Sequence, residues 1–169
     1  MRNFFSRKTG LTAIEMVVVL AILGMVVSLL FPVVRALKRT GRRTQAMNEA
    51  KQIVLALKRY RLAYGKWPCQ TQSESDTTYT NNACIIAELC NNPRNYSFLE
   101  IPLQSFSNGC FVDPWQRPYI IALDEDGDGN VEVSTAFFTG VVSNETAVVI
   151  SGGPSPEQYP EYIVYSWKN

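Results

Sequence analysis

The densest group of side chains able to do chemistry is an acidic loop late in the chain. Asp124, Asp126 and Asp128 alternate with other residues and precede Gly129, as in the first half of an EF-hand calcium loop. Carboxylate and carbonyl oxygens suit a hard cation. We therefore expect Ca²⁺ as a cofactor, held by the following residues: Asp124, Asp126, Asp128, Asn130 and Glu132.

A simpler interpretation of this loop stays open. The twelfth loop position is Thr135, where an EF-hand has a bidentate Glu, and no helical pattern follows it. Residues 119–123 and 131–135 instead look like two strands. The alternative is therefore an acidic turn that joins these two strands as a β-hairpin.

The content of histidine and of short motifs excludes several classes of enzyme. The 169 residues contain no histidine, which rules out imidazole acid–base catalysis and histidine-ligated zinc. The sequence also contains no Gly-x-Ser-x-Gly and no phosphate-binding loop. We predict that the chain is not an enzyme.

The four cysteines all lie in the second part of the chain, after a long apolar segment, at spacings unlike a CxxC pair. An even count on one side of a membrane suggests disulfides formed in an oxidising compartment. Four cysteines allow three pairings. All three stay open, and our first choice joins Cys69 to Cys84 and Cys90 to Cys110.

The apolar segment near the N-terminus is long enough to cross a bilayer. Residues 16–34 carry no charge, although 18% of the whole chain is charged. About 20 helical residues cross the hydrocarbon layer, and no small-residue cleavage site follows this segment. We therefore predict a retained membrane helix. Its orientation stays open on charge alone, because three cations precede it and five follow it.

Glu15 is an acid at the edge of this predicted membrane segment. An ionisable group inside a membrane is costly, so it usually has a partner or a function. One interpretation is that Glu15 reaches toward the lipid head groups. The other is that it meets a positive charge supplied by another chain.

Residues 7–19, RKTGLTAIEMVVV, resemble the class III signal of type IV pilins and of type II secretion pseudopilins. The resemblance implies that a prepilin peptidase cuts after Gly10 and that the new N-terminal residue, Leu11, is methylated. It also puts Glu15 at the fifth mature position, where the Leu11 amine of a neighbouring subunit would neutralise it. Leu11 and Ala13 stand where this family usually has Phe and Leu.

The same resemblance implies a topology and a set of partners. Residues 1–10 would be a cytoplasmic leader, residues 11–34 a single-pass inner-membrane and filament-core helix, and the head would lie in the bacterial periplasm. The implied partners are further copies of the chain in a homopolymeric filament, other pseudopilins, the prepilin peptidase, the inner-membrane assembly platform and membrane lipid.

A periodic segment extends the N-terminal helix. Apolar side chains recur every three or four positions, which is typical of one helix face, at Ala46, Ala50, Ile53, Leu57, Tyr60 and Tyr64. Gly65 suits a C-cap, and Pro68 blocks continuation. We predict one helix from about residue 12 to 64, with an amphipathic stem at 35–65. Pro32 should bend or locally melt it.

Residues 66–169 are predicted to form the globular head. Residues 69–82 are polar and aperiodic, which indicates a surface loop. The other head elements predicted are a short helix at 83–89 and strands at 119–123, 131–135, 147–150 and 162–167. The fold class is therefore α+β and pilin-like, with a long N-terminal α-helix whose C-terminal half packs on a small antiparallel β-sheet.

Residues 113–119, DPWQRPY, resemble the Asp-Pro-Trp-Gly-x-Pro-Tyr signature of the major pseudopilin of type II secretion, with Gln116 in place of Gly. Residues 65–68, GKWP, are similar to the Gly-x-Tyr-Pro that follows the stem in that family. We expect Trp115 to be anchored in the head core. The family's calcium site also draws on a loop nearer the C-terminus, and the corresponding residues 151–157 lack an Asp.

The charge is divided sharply along the chain. Residues 1–66 hold 13 Lys or Arg and two acids, a net charge of +11, whereas residues 67–169 hold three cations and 13 acids, a net charge of −10. An acidic head repels nucleic acid. We therefore expect no nucleic-acid partner and disfavour a DNA-binding competence pseudopilin.

The function that these patterns favour is that of a structural subunit of a type II secretion pseudopilus, which polymerises through its N-terminal helix into a periplasmic filament that drives protein export. One alternative is a type IV pilus subunit or minor pilin on a surface filament. A different alternative is a monomeric, membrane-tethered calcium-binding domain that never assembles.

Overall fold

The computed structural model describes residues 12–70, 75–92, 94 and 96–168. It divides into two compact units, Met1–Thr40 and Gly41–Asn169. The predicted cleavage site, Gly10 and Leu11, lies outside the described residues. The fold is α+β, with one long N-terminal helix and a small antiparallel sheet, as the sequence predicts.

Helix α1 spans Ala13–Tyr64 and ends at the predicted place. Gly65 follows with a φ of +71°, a left-handed conformation that favours glycine. Its N–H donates to the Arg61 carbonyl at 2.8 Å, which satisfies one of the last backbone acceptors of the helix. The helix continues through Pro32 without interruption, which rules out local melting there, and the predicted bend at Pro32 stays a prediction.

The part of α1 that lies in the second unit contributes one face to the head core. The buried helix residues recur every three or four positions, as the apolar periodicity predicts, and are Ala46, Glu49, Ala50, Ile53, Ala56, Leu57 and Tyr60. Burial of this face, at about 25 cal/mol per Å² of apolar surface, is a main contribution to head stability.

The other head elements, in chain order, are β1 Thr77–Tyr79, α2 Ala83–Cys90, β2 Phe106–Ser107, β3 Cys110–Phe111, β4 Ile120–Leu123, β5 Asn130–Ser134, β6 Thr139–Ser143, β7 Ala147–Ser151 and β8 Val164–Tyr165. Short 3₁₀ turns lie at Leu103–Ser105 and Pro160–Tyr162. The main antiparallel sheet has the order β1-β4-β7-β8, and β2-β3 and β5-β6 form two small pairs.

The sheet is covered on both faces, which explains why all five residues of β7 are buried. Ile121 and Leu123 of β4 belong to the core shared with α1 and α2. Ala122, between them, points the other way and packs with Val131 and Val133 of β5. The β5-β6 hairpin therefore closes the side of the sheet opposite the helices.

The strands differ from the sequence predictions in their pairing, in a strand within the predicted surface loop and in the length of the last strand. The alternative interpretation of the acidic loop pairs β4 with β5 as a hairpin, but β4 pairs with β1 and β7, whereas β5 pairs with β6. β1 itself lies inside the predicted surface loop 69–82. The predicted strand at 162–167 is reduced to β8, because residues 160–162 form a 3₁₀ turn.

The tight turn after Asp113 has a well-defined structure. The Asp113 carboxylate accepts the backbone N–H groups of Trp115 at 2.9 Å and Arg117 at 3.0 Å, and accepts the Ser151 hydroxyl at 2.5 Å. Burial raises the pKa of Asp113, although these donors oppose the shift. Gln116 has a φ of +66°, so it adopts the conformation in which the family signature has Gly.

The tryptophan that anchors the head core is Trp67. It is 2% exposed, whereas Trp115 is only partly buried, so the prediction for Trp115 is wrong. The Trp67 indole N–H donates to the Asp124 carbonyl at 2.5 Å, and the Arg61 guanidinium lies 4.5 Å from its ring centroid. Trp67 thus joins the end of α1 to the start of the acidic loop.

Candidate functional site

The first described turn of α1 holds Glu15 in a reciprocal pair of bonds. Glu15 Oε2 accepts both the backbone N–H and the hydroxyl of Thr12, each at 2.8 Å. The Thr12 hydroxyl oxygen in turn accepts the Glu15 N–H at 3.3 Å. This is a capping box, which satisfies donors that a helix N-terminus otherwise leaves without partners.

The charge of Glu15 alone does not indicate that this side chain caps the helix. The Thr-x-x-Glu spacing before an apolar run was the signal that could have shown it. The cap occupies Oε2, and no group in the described part of the chain donates to Glu15 Oε1. The neighbours of Glu15 on the helix surface are apolar: Ile14, Val18 and Val19.

The apolar part of α1 has no covering partner within the described chain. From residue 13 to residue 45 every residue is exposed. Leu20, Leu23 and Leu29 are 66%, 54% and 67% exposed. The helix is long and apolar enough to cross a membrane.

The acidic loop begins at a buried carboxylate. Asp124 directly follows β4 and is 2% exposed. Its Oδ1 accepts the Gly127 N–H at 2.6 Å, and its Oδ2 lies 3.8 Å from Arg61 Nη1. Burial raises the pKa of Asp124, and the nearby carboxylates of Asp76 and Asp126 add to the rise.

Three carboxylates come together at this loop, and one of them was not predicted. Oxygen atoms of Asp76, Asp124 and Asp126 all lie within 4.8 Å of one another. Asp76 reaches the loop because β1 follows it directly and pairs with β4, in the register Thr77 opposite Leu123. No local sequence pattern predicts this pairing, and the acidic residue directly before β1 was only a weak signal of a ligand.

The rest of the predicted ligand set is arranged differently. Asp128 accepts both the backbone N–H of Asn130 at 2.7 Å and its side-chain amide at 2.9 Å, which lowers the pKa of Asp128. Glu132 lies in β5 and donates its N–H to Asp76 at 2.6 Å. Asp128, Asn130 and Glu132 are therefore not part of the carboxylate cluster.

The cluster has the donor chemistry that Ca²⁺ prefers. Its three carboxylates are hard oxygen donors, and Ca²⁺ takes six to eight oxygens in flexible geometries. In the adjacent residue, Glu125, the Oε2 atom is buried and receives no hydrogen bond in the described chain. Its Oε1 accepts the Tyr79 hydroxyl at 2.8 Å. A divalent cation held by the three residues of the cluster would offset the repulsion among their carboxylates.

The cysteines form one of the two expected bonds. Cys69, just after the end of α1, is joined to Cys84 in α2. The predicted bond between Cys90 and Cys110 is not formed. Burial raises the pKa of the Cys90 thiol, and the Cys110 thiol lies 3.2 Å from Asn81 Oδ1.

The resemblance to pseudopilins rests on residues 65–68, which follow α1, and on two further short stretches, residues 7–19 and 113–119. Their described parts are the first turns of an exposed apolar helix and a turn fixed by the buried Asp113 carboxylate. Comparison of the chain with protein-family models, with characterised proteins and with solved structures found no match.

Proposed function

We propose that this chain is a structural subunit of a type II secretion pseudopilus. In this proposal residues 11–34 anchor it in the bacterial inner membrane, residues 66–169 form a periplasmic head, and copies polymerise through their N-terminal helices. The single observation that carries the proposal is an apolar helix surface, exposed along residues 13–34, that begins with one acid. A surface of this kind needs lipid or other helices around it.

The charge of Glu15 and its capping role can be separated by substitution. Glu15→Gln keeps a side chain that can complete a capping box but removes the charge. Thr12→Val removes the cap hydroxyl and keeps the charge. If Glu15 meets a cationic amine of a neighbouring subunit, Glu15→Gln abolishes filament assembly and Thr12→Val largely preserves it.

The measurement is intersubunit cross-linking of filaments from cells that make an active prepilin peptidase. Intact mass spectrometry on the same samples gives the mass of residues 11–169 plus one methyl group if processing occurs as proposed. Normal assembly of Glu15→Gln would contradict the charge-pairing role. A mass that retains residues 1–10 would contradict the pilin pathway and favour a tethered domain.

We also propose that the head holds Ca²⁺ at Asp76, Asp124 and Asp126. Three converging carboxylates support this. Ca²⁺ should raise the melting temperature of the wild-type chain and of Asp128→Asn, the matched control, but not that of Asp76→Asn. If Ca²⁺ failed to raise the melting temperature of Asp128→Asn alone, the result would instead support the ligand set predicted from the loop sequence, which includes Asp128.

A further inference from the structure

A row of cations follows the apolar segment on α1. Their successive spacings of three, one, three and one residues put them on one face of a continuous α-helix, and they are Arg35, Lys38, Arg39, Arg42 and Arg43. We call this row the basic stripe. Every one of its five residues is exposed.

The charges of the basic stripe have no counter-charge in the part of the chain that the structure describes. None of the five cations forms an ion pair with an acid among the described residues. The ion pairs that α1 does make lie further along the helix, from Lys58 to Glu145 and from Arg61 to Asp124. Some acids of the head already have hydrogen-bond partners within the head, since Asp76 and Asp113 accept backbone N–H groups.

The position of the basic stripe matches the head-group layer of a bilayer. At 1.5 Å per residue, residues 16–34 extend about 28 Å, close to the ~30 Å of a hydrocarbon core. The Arg35 guanidinium lies 4.2 Å from the ring centroid of Phe31, so the stripe begins directly at the apolar segment. It then extends about 12 Å further, which is roughly the thickness of the head-group layer plus a Debye length.

We propose that the basic stripe binds the phosphate groups of anionic phospholipids on the head side of the membrane. Juxtamembrane clusters of Lys and Arg are attracted to anionic lipid surfaces. Arginine adds bidentate hydrogen bonds to phosphate oxygens. The inference rests on the proposed membrane insertion and adds a lipid class to it. The continuity with the apolar segment favours lipid over a neighbouring subunit's acidic head.

The test uses the full chain in detergent micelles with equimolar phosphatidylglycerol and phosphatidylcholine, and native mass spectrometry to count the lipids retained. The wild-type chain should retain phosphatidylglycerol at least about tenfold more than phosphatidylcholine. A variant with Gln at all five stripe positions should lose this preference, because Gln keeps helix propensity without charge. The matched control, Arg59→Gln with Lys66→Gln, removes two exposed cations outside the stripe and should behave as wild type.

Two results would overturn the inference: equal retention of both lipids by the wild-type chain, or an unchanged lipid preference in the five-Gln variant, in particular one that also loses intersubunit cross-linking. The last result would assign the stripe to a neighbouring copy. Carbonate extraction of membranes distinguishes a failure of the lipid-binding inference from a failure of the proposed membrane insertion. A chain released by carbonate contradicts membrane insertion, whereas a retained chain without lipid preference contradicts the stripe alone.

Discussion

The two halves of α1 have the same backbone structure and opposite surroundings. Between residues 46 and 60, a stripe of side chains is buried in the head core, and Leu57 is 0% exposed. Between residues 13 and 34 no side chain is buried, and Leu23 is 54% exposed. The second half finds its apolar partners within the chain. The first half has none among the described residues.

The composition of each half explains the difference. In residues 46–60, small or apolar side chains recur every three or four positions among polar ones. One face of the helix is therefore apolar and packs in the head core, and the opposite face is polar and contacts water. Residues 16–34 are uncharged on every face, and no single face is distinguished. α1 therefore contains one segment that packs in the head core and one whose apolar side chains stay exposed among the described residues.

The sharpest test of this comparison uses one substitution at three positions of α1. Leu57→Ala should lower the free energy of unfolding of the head by about 2–5 kcal/mol, because it leaves a cavity in the core. Leu62, which is 87% exposed, and Leu23 should each change it by less than about 0.5 kcal/mol when replaced by Ala. Denaturant unfolding followed by tryptophan fluorescence measures all three. If Leu23→Ala lowered the free energy of unfolding as much as Leu57→Ala, the result would contradict the difference between the two halves of α1.

The next largest effect is expected at the polar contact between α1 and Tyr119, the residue that precedes β4. The hydroxyl of Tyr119, which is 0% exposed, donates to Glu49 Oε2 at 2.5 Å. Burial, with the Glu49 carboxylate beside it, raises the pKa of Tyr119. Tyr119→Phe leaves a buried carboxylate short of a donor and should cost about 1.5–3 kcal/mol. Exposed Tyr159→Phe is the control, and equal melting temperatures for the two variants would refute the estimate.

A smaller effect, of opposite sign, is expected at the Asp113 turn. Gln116 occupies a left-handed conformation that costs an L-residue about 1 kcal/mol relative to glycine. Gln116→Gly should therefore stabilise the head by up to about 1 kcal/mol, and Gln116→Ala should give no gain. Thermal unfolding of both variants decides the matter, and a destabilised Gly variant would contradict the strain argument.

The smallest effect on the head is expected from Pro32→Ala. The change restores a backbone N–H that can donate to the Ser28 carbonyl, so amide exchange near residues 28–32 should slow. The unfolding free energy of the head should shift by less than about 0.5 kcal/mol. Hydrogen exchange by mass spectrometry measures both quantities on one sample. A large shift in the head would show that the two halves of α1 are energetically coupled.

Sequence predicted those features that depend on neighbours in the chain. The end of α1 at Gly65, the short helix α2 and strands β4 and β7 follow from local spacing and turn residues, and all are confirmed. The long apolar segment was equally plain, since a window of about twenty residues is enough to define it.

Features that depend on distant residues were not predicted. Asp76 reaches Asp124 only through the pairing of β1 with β4, and the sequence does not encode that register locally. The prediction that Trp115 is anchored in the head core failed for the same reason, because a local pattern does not show which tryptophan the fold buries. The pairing of four cysteines likewise depends on which segments fold next to each other.

The capping box at Thr12 and Glu15 has a consequence for any molecule that meets this end of the helix. Because these two side chains close the first turn by themselves, the backbone there is ordered before an encounter. Fixing the backbone of one residue costs roughly 1–2 kcal/mol in conformational entropy. A binding partner therefore meets a preorganised helix end, and less of the interaction free energy is spent on ordering the chain.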